Sequence, residues 1–486
     1  MKLAEVLRHM TFRYARGAGD SLSVTDVAYD SRHVVPGALF VCVPGAANDG
    51  HLFAPDAVRR GASALIVERE LDLAVPQVVV SDARDALAQA SANFFGNASA
   101  HMQVAGVTGT AGKTTVAMLL EHMLNEAGTT CGLLGTVCYR MGERVFPSRY
   151  TTPESRDLQE VLGAMRDMGA RAASMEVSSH ALLTRRCAHT QFDVAAFTNL
   201  SREHMDLHGD MEDYFATKVR LFTEEDVSKR VICTSSRWGR RLADMLRDDG
   251  AVVVEVSGDS AADVFLQDVV PRGLVGSDVR AVAFGREMSF GLPMIGAFNA
   301  MNALVALSVM HELGYDVVRA AESLSRFPGV PGRMERVDTG GRGFTVLVDY
   351  AHTPEELGRA IEAARGSCAG RLAVVFGCGG DRDRGKRPMM GREASRADFV
   401  MVTNDNPRSE NPADIAAETI AGMGEDASRA RVQLDRRRAI RDALAWARPG
   451  DVVLIAGKGH ESTQTVGGKT IRFDDREVTR EELENV

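Results

Sequence analysis

With 486 residues, 45% of them apolar and 25% charged, the chain has the composition of an ordinary globular protein and the length of about three domains. Its 57 Lys and Arg against 66 Asp and Glu leave a net charge of −9, which argues against a nucleic-acid binder working through a basic face. No apolar run approaches the ~20 residues that cross a bilayer, Met1-Lys2-Leu3-Ala4-Glu5 lacks the apolar stretch of a signal peptide, and seven scattered Cys form no C-x-x-C pair, so the expectation is a cytoplasmic chain with reduced thiols.

In chain order, strand-like runs at 39–43 and 64–67 belong to a first block ending near Asn97. A second block opens with the strand 104–107 and runs to the Pro/Gly-rich 327–332, a turn density that marks a connection. The third block alternates: strand 344–349, helix 355–365, strand 371–377, helix 388–397, strand 399–403, helices 412–423 and 436–447, and strand 451–456. In the helix over 355–365, Leu357, Ala360, Ile361 and Ala364 form one buried stripe at i, i+3, i+4 and i+7. The expectation is α/β throughout, with domains at 1–98, 99–331 and 332–486, a mainly parallel central sheet and a Rossmann-like third domain.

The strongest chemical signal is Gly106-Val107-Thr108-Gly109-Thr110-Ala111-Gly112-Lys113-Thr114-Thr115, after a strand and before a helix whose apolar side is Val116, Leu119, Leu120 and Met123. Backbone amides in such a turn face phosphate oxygens, and the helix N-terminus adds its dipole. Lys113 supplies a point charge for the terminal phosphates, and Thr114 an oxygen for Mg²⁺. Glu176 closes an apolar strand, where a carboxylate beside a P-loop strand holds nucleotide Mg²⁺ or orients its water. After another strand come His204, Asp206 and His208, then Lys218. A His/Asp/His cluster admits zinc, but no cysteine lies nearby and no H-E-x-x-H helix is present.

Gly-Thr-x-Gly-Lys-Thr-Thr at 109–115, Met-Glu-Val-Ser-Ser-His at 175–180 and Phe-Thr-Asn-Leu-Ser-x-x-His-x-Asp-x-His-Gly at 197–209 together resemble the Mur ligase family. So do segments 296–302, 331–335, 348–354 and 457–461, in the family's order. The resemblance is greatest to the members that add diaminopimelate to UDP-N-acetylmuramoyl-alanyl-glutamate in peptidoglycan precursor synthesis. It implies ATP-dependent formation of an acyl phosphate, attack by an amine, and release of ADP and phosphate. It further implies two Mg²⁺ ions, one held by Thr114 and Glu176 and the other by His204, with Lys218 carbamylated as an oxygen ligand. A carbamate makes chemical sense there, because an ammonium has donors only, whereas its CO₂ adduct offers oxygens.

By the same resemblance, ATP lies on Gly109, Thr110, Ala111, Gly112, Lys113, Thr114, Thr115, Asn302, Arg333 and Asp349, between the second and third domains. Tyr29, Ser31, Ala46, Ala47 and Asn48 contact the uridine diphosphate, and Thr151, Thr152, Ser178, Thr184 and Arg186 the sugar-peptide. Arg382, Asp405, Asn406, Pro407, Arg408, Gly457 and Glu461 receive the diaminopimelate. Arg408 discriminates: diaminopimelate differs from lysine by a carboxylate, which a guanidinium fork binds bidentately. Partners are then small molecules only, with neither nucleic acid nor membrane, and the chain is a monomer. One departure is Ala111, where the family usually has Asn; a positive φ there would cost ~1 kcal/mol. A lysine-adding ligase, a folylpolyglutamate synthetase and a P-loop switch or motor ATPase stay open as other readings.

Overall fold

Continuous apolar runs such as Ala64-Leu65-Ile66-Val67 have no polar face to turn to water, so they must lie in sheets covered on both sides. The computed structural model describes all residues except 17–20, 46, 47, 147, 149, 206 and 486, with only the backbone of 15 and 16. The first sheet has five strands spanning 13–79, parallel except at the edge pair Arg13–Arg16 and Gln77–Val79.

The central sheet has eleven strands, seven of them parallel, with antiparallel strands at both edges. Its strand Gln103–Thr108 lies between Ala172–Glu176 and Gln191–Phe197. Glu176 registers with Val107, and Phe197 with Thr108, so three loops leave the sheet at one level. This is the carboxyl end of a parallel sheet at a reversal of strand order, where α/β folds bind ligands. The helix Lys113–Glu126 was expected to bury one face. In fact Ala117, Met118 and Leu124 are buried with Val116, Leu119, Leu120 and Met123, because the helix is packed between the sheet and helix Ala297–Glu312.

The third sheet has six strands, four consecutive pairs of them parallel, with Glu335–Val337 antiparallel at one edge. Expected elements appear at Thr345–Asp349, Pro354–Gly366, Leu372–Phe376, Lys386–Ala394, Phe399–Val402, Pro412–Ala421, Arg436–Trp446 and Val452–Ala456. The predicted stripe Leu357, Ala360, Ile361 and Ala364 is buried. Several elements were not anticipated, among them the strand Glu335–Val337, the helix Asp475–Leu483, an edge strand and a hairpin. Ala430–Val432 is a three-residue, mostly exposed edge strand, too short to show a period. Thr463–Val466 and Lys469–Arg472 form a hairpin around Gly467 and Gly468, whose φ of 55° and 75° suit a Gly-Gly turn.

Candidate active site

Gly109 and Gly112 turn the P-loop with φ of 149° and 88°, and Ala111 does not adopt positive φ, so the anticipated penalty is absent. Both backbone groups of Ala111 are held by one side chain: its N–H donates to Asn199 Oδ1 at 3.0 Å, and its carbonyl accepts from Asn199 Nδ2 at 3.0 Å. A Cβ on Gly112 would meet Asn302 Oδ1 at 2.5 Å, so Asn302 packs against the loop. Lys113 Nζ donates to the carbonyls of Gly109 and Thr110, each at 2.8 Å, and so folds back on its own loop.

Beside this loop the Glu176 carboxylate accepts from Thr136 N at 2.7 Å and Thr136 Oγ1 at 3.0 Å. Thr136, which sequence reasoning missed, thereby aims the carboxylate, and its hydroxyl also meets Thr151 Oγ1 at 3.0 Å. Thr152 Oγ1 donates to Glu176 O at 2.8 Å and accepts from Ser178 N at 3.1 Å. Arg186 donates to Thr152 O and pairs with Glu154 at 2.9 Å. Four of the five residues expected on the sugar-peptide thus sit together. Thr184 is half-buried, and its hydroxyl donates to His180 O at 2.7 Å.

Lys218 is buried, donates to Gly109 O at 2.9 Å and stands 4.7 Å over the Tyr214 ring. Burial, reinforced by Lys113, pushes its ammonium well below the ordinary lysine range, with Glu203 opposing. His204, about half exposed, adopts φ 57°; partial desolvation, with Lys113 and Lys218 nearby, lowers its imidazole against the pull of Glu203. His208 does something else: fully buried, it stacks on Tyr214 at 4.8 Å with Nε2 at 3.2 Å from Ser179 Oγ. Asp206 lies outside the described residues. Among the described residues no three of His, Cys, Asp and Glu converge to hold a metal. The Thr114 hydroxyl and the Glu176 carboxylate are hard oxygen donors of the kind that suit Mg²⁺, which keeps water and phosphate oxygens.

The second and third domains meet at a residue pair that sequence reasoning also missed. Glu203 Oε1 bonds His352 Nε2 at 2.6 Å, and His352 Nδ1 lies 2.9 Å from Tyr350 O. Burial lowers His352, but Glu356 and Glu203 outweigh it and raise the imidazole to about 9; Glu203 is held below the usual carboxylate range despite burial. The His352 contribution is therefore complete below its ordinary 6.5 and fades as pH climbs through about 9, while that of Glu203 fades only in strong acid. We expect the KM for ATP to rise on the alkaline side, through about pH 9, and this rise to be absent in Glu203→Gln. An identical alkaline rise in that variant would refute the role of the pair.

A cavity of about 360 Å³ lies between these domains, lined by Gly112, Thr114, Asn302, Arg333 and Asp349 among others. Asp349 accepts from the N–H groups of Met334 and Ala351, each at 2.7 Å, and burial raises its carboxyl to about 6. Arg333 stacks 4.4 Å over Tyr350. A second cavity, about 540 Å³, separates the first domain from the central one and contains Tyr29, whose hydroxyl donates to Asp157 at 2.8 Å. Ser31 is buried in a short turn outside that lining, Asn48 is exposed, and Ala46 and Ala47 lie outside the described residues.

At the carboxyl end of the third sheet, Arg408 Nη1 donates to Gly380 O at 2.7 Å. A Cβ on Gly379 would lie 3.1 Å from Arg408 Nη1 and 3.8 Å from Arg382 Cγ, so both arginines flank one bare backbone position. Asn406 Nδ2 donates to Glu461 Oε2 at 3.3 Å, and a Cβ on Gly457 would meet Asp405 Oδ2 at 2.7 Å. The expected amine-binding residues thus converge from three loops.

Three family profiles match the chain in succession: "Mur ligase family, catalytic domain" over 23–100, "Mur ligase middle domain" over 107–310, and "Mur ligase, glutamate ligase domain" over 332–459. The chain is 41% identical to the UDP-N-acetylmuramoyl-L-alanyl-D-glutamate–2,6-diaminopimelate ligase of Syntrophomonas wolfei, over 99% of each chain. It is 43% identical to the protein so named in Gloeobacter violaceus, over 95% of this chain and 94% of that one. A solved structure of a ligase with that name superposes with a TM-score of 0.73 at 30% identity, covering 100% of this chain and 99% of the other. Among the described residues no helix is long and apolar enough to cross a membrane.

Proposed function

Because the chain belongs to the Mur ligase family, we propose that it is the ATP-dependent ligase joining meso-2,6-diaminopimelate to UDP-N-acetylmuramoyl-L-alanyl-D-glutamate. The division at 98/99 and 331/332 is part of this reading, supported by the separate spans of the three sheets. UDP enters between the first two domains near Tyr29, and Thr151, Thr152, Ser178 and Arg186 hold the sugar-peptide beside Glu176. ATP occupies the cavity between the second and third domains, with Asp349 at the ribose and Arg333 and Asn302 on the nucleotide.

A carboxylate resists direct attack by an amine, so it is first activated. Its oxygen attacks the γ-phosphorus, the bond to ADP breaks, and an acyl phosphate forms. The amine nitrogen then bonds the acyl carbon, phosphate departs, and the nitrogen loses a proton. Lys113 leaves its loop carbonyls to follow the moving phosphoryl charge, and the loop amides stay fixed on Asn199. Thr114, Glu176, His204 and carbamylated Lys218 would hold Mg²⁺, which neutralises phosphate charge. Glu203 and His352 keep the nucleotide-bearing and amine-bearing domains together and limit water.

The observation that carries the choice of amine is the pair of arginines beside Gly379, with Asn406, on the same loop as Arg408, bonded to Glu461. Diaminopimelate carries a distal carboxylate that must leave water, and a guanidinium fork offsets that desolvation with two charge-assisted bonds. Glu461, whose carboxylate accepts from Lys458 Nζ at 2.8 Å, would receive the distal ammonium. Lysine lacks the carboxylate and would leave a cation facing a cation. Arg408→Ala is expected to lower kcat/KM for diaminopimelate by roughly 10²-fold or more, because truncating one partner of a buried charge pair costs ~3–5 kcal/mol. Lysine use should hold or rise slightly, and Arg408→Lys should recover part of the loss. Equal loss for both amines would make Arg408 structural and remove the main support for diaminopimelate.

A further inference from the structure

The loop that follows strand Phe399–Val402 and carries Asp405, Asn406 and Arg408 belongs to no regular element, so its shape depends on what grips it. Arg408 lies at φ 52°, a left-handed conformation that a long side chain does not adopt without support. On one side the support is Gly380, which accepts the guanidinium bond and whose missing Cβ leaves room for the Pro407 carbonyl. On the other side it is the hairpin at 463–472, outside the six-stranded sheet.

Three successive hairpin residues take hold of the loop. Gln464 Nε2 donates to Asp405 O at 2.8 Å and to Asn404 O at 3.4 Å. The Thr465 N–H donates to Asn406 Oδ1 at 2.8 Å. Val466 pairs in parallel with Arg408 itself. Of residues 463–466 only Gln464 is buried, at 5% exposure, and its amide is spent on main-chain carbonyls of the loop. A buried amide donating to two carbonyls fixes backbone position; losing it leaves Asp405 O short, while Asn404 O keeps the Arg436 guanidinium at 3.3 Å.

We propose that Gln464 is a positioning residue that sets the amine selectivity of this enzyme by holding the Asn404–Arg408 loop, and through it Arg408, in register with the pocket. The inference rests on the reading of Arg408 given above. Asn406 extends the same chain of contacts to Glu461, so hairpin, loop and the acid for the distal ammonium are one connected unit. Selectivity is then written partly in a residue that touches no substrate.

The test is the ratio of kcat/KM for diaminopimelate to that for lysine in the full-length enzyme. Gln464→Glu keeps the side chain's shape but sets a carboxylate against two carbonyl oxygens; Gln464→Met keeps its length without a donor. Each is expected to lower the ratio about tenfold or more, the order of one lost buried hydrogen bond. The KM values for ATP and the UDP-substrate should stay unchanged. In an Arg408→Ala background neither substitution should change the ratio further, since the group they position is gone. Should Gln464→Glu fail to fold, Gln464→Met decides by the same criteria. A fall in both amines alike, or the same drop in the ratio without Arg408, overturns the inference. If Arg408→Ala collapses the ratio while both Gln464 variants preserve it, the inference alone fails. If the ratio survives Arg408→Ala, the reading of Arg408 fails first.

Discussion

Lys113→Ala is expected to lower turnover on the order of 10³-fold or more while leaving the fold intact. The fold should survive because the bonds of Lys113 Nζ are local, to Gly109 O and Thr110 O, and Lys218 also donates to Gly109 O. The turn is set by Gly109, Gly112 and the Asn199 clamp on Ala111, none of which needs the ammonium. Catalysis should not survive. The transferring phosphoryl group spreads negative charge over its oxygens, and a cation held in a partly desolvated site stabilises it by several kcal/mol. The ammonium rests on two loop carbonyls, from which it would be released to follow the transferring group. Turnover at saturating ATP and Mg²⁺, with a thermal melt as control, checks the point. Near-normal turnover in a folded Lys113→Ala protein would sink the P-loop assignment.

What was legible in the sequence is what is local in the chain. The glycine spacing of 109–112, the acid at the end of strand Ala172–Glu176 and the alternation of the third block follow from rules acting over a few residues, and each element appears where expected. Ala111 shows the limit. Its identity invited a guess about φ, but its conformation is set by Asn199, 88 residues away, whose amide satisfies both of its backbone groups. Glu203 and His352 lie 149 residues apart in two separate motif segments; only the meeting of two domains makes them a pair. His208 belonged to a plausible ligand cluster, yet its ring is spent on Tyr214 and Ser179. The hairpin did carry a signal, Gly467-Gly468 between β-branched residues, and was missed because its strands are short and mostly exposed.

Lys218→Ala is expected to be nearly inactive, on the order of 10³-fold down if a metal-ligating group is lost, and to be partly restored by bicarbonate or short carboxylates. As an ammonium, Lys218 would be misplaced: it is buried, close enough to Lys113 to be lowered by it, with a carbonyl and an aromatic ring for company. Those surroundings favour the free amine, whose lone pair attacks the carbon of CO₂; the N–C bond forms and one proton is released. The product reverses the local charge, placing an anion beside Lys113 and giving Mg²⁺ oxygen ligands. Lys218→Arg separates this from a cationic role. A guanidinium keeps the positive charge but holds its proton above pH 12 and offers no comparable lone pair, so it forms no such carbamate. The Arg variant should therefore be as inactive as the Ala variant and, since its side chain fills the space, should gain nothing from added carboxylate. Turnover of both variants with and without formate, acetate or bicarbonate is the measurement. An active Lys218→Arg enzyme would show that the position needs charge, not oxygen, and the carbamate would have to be abandoned.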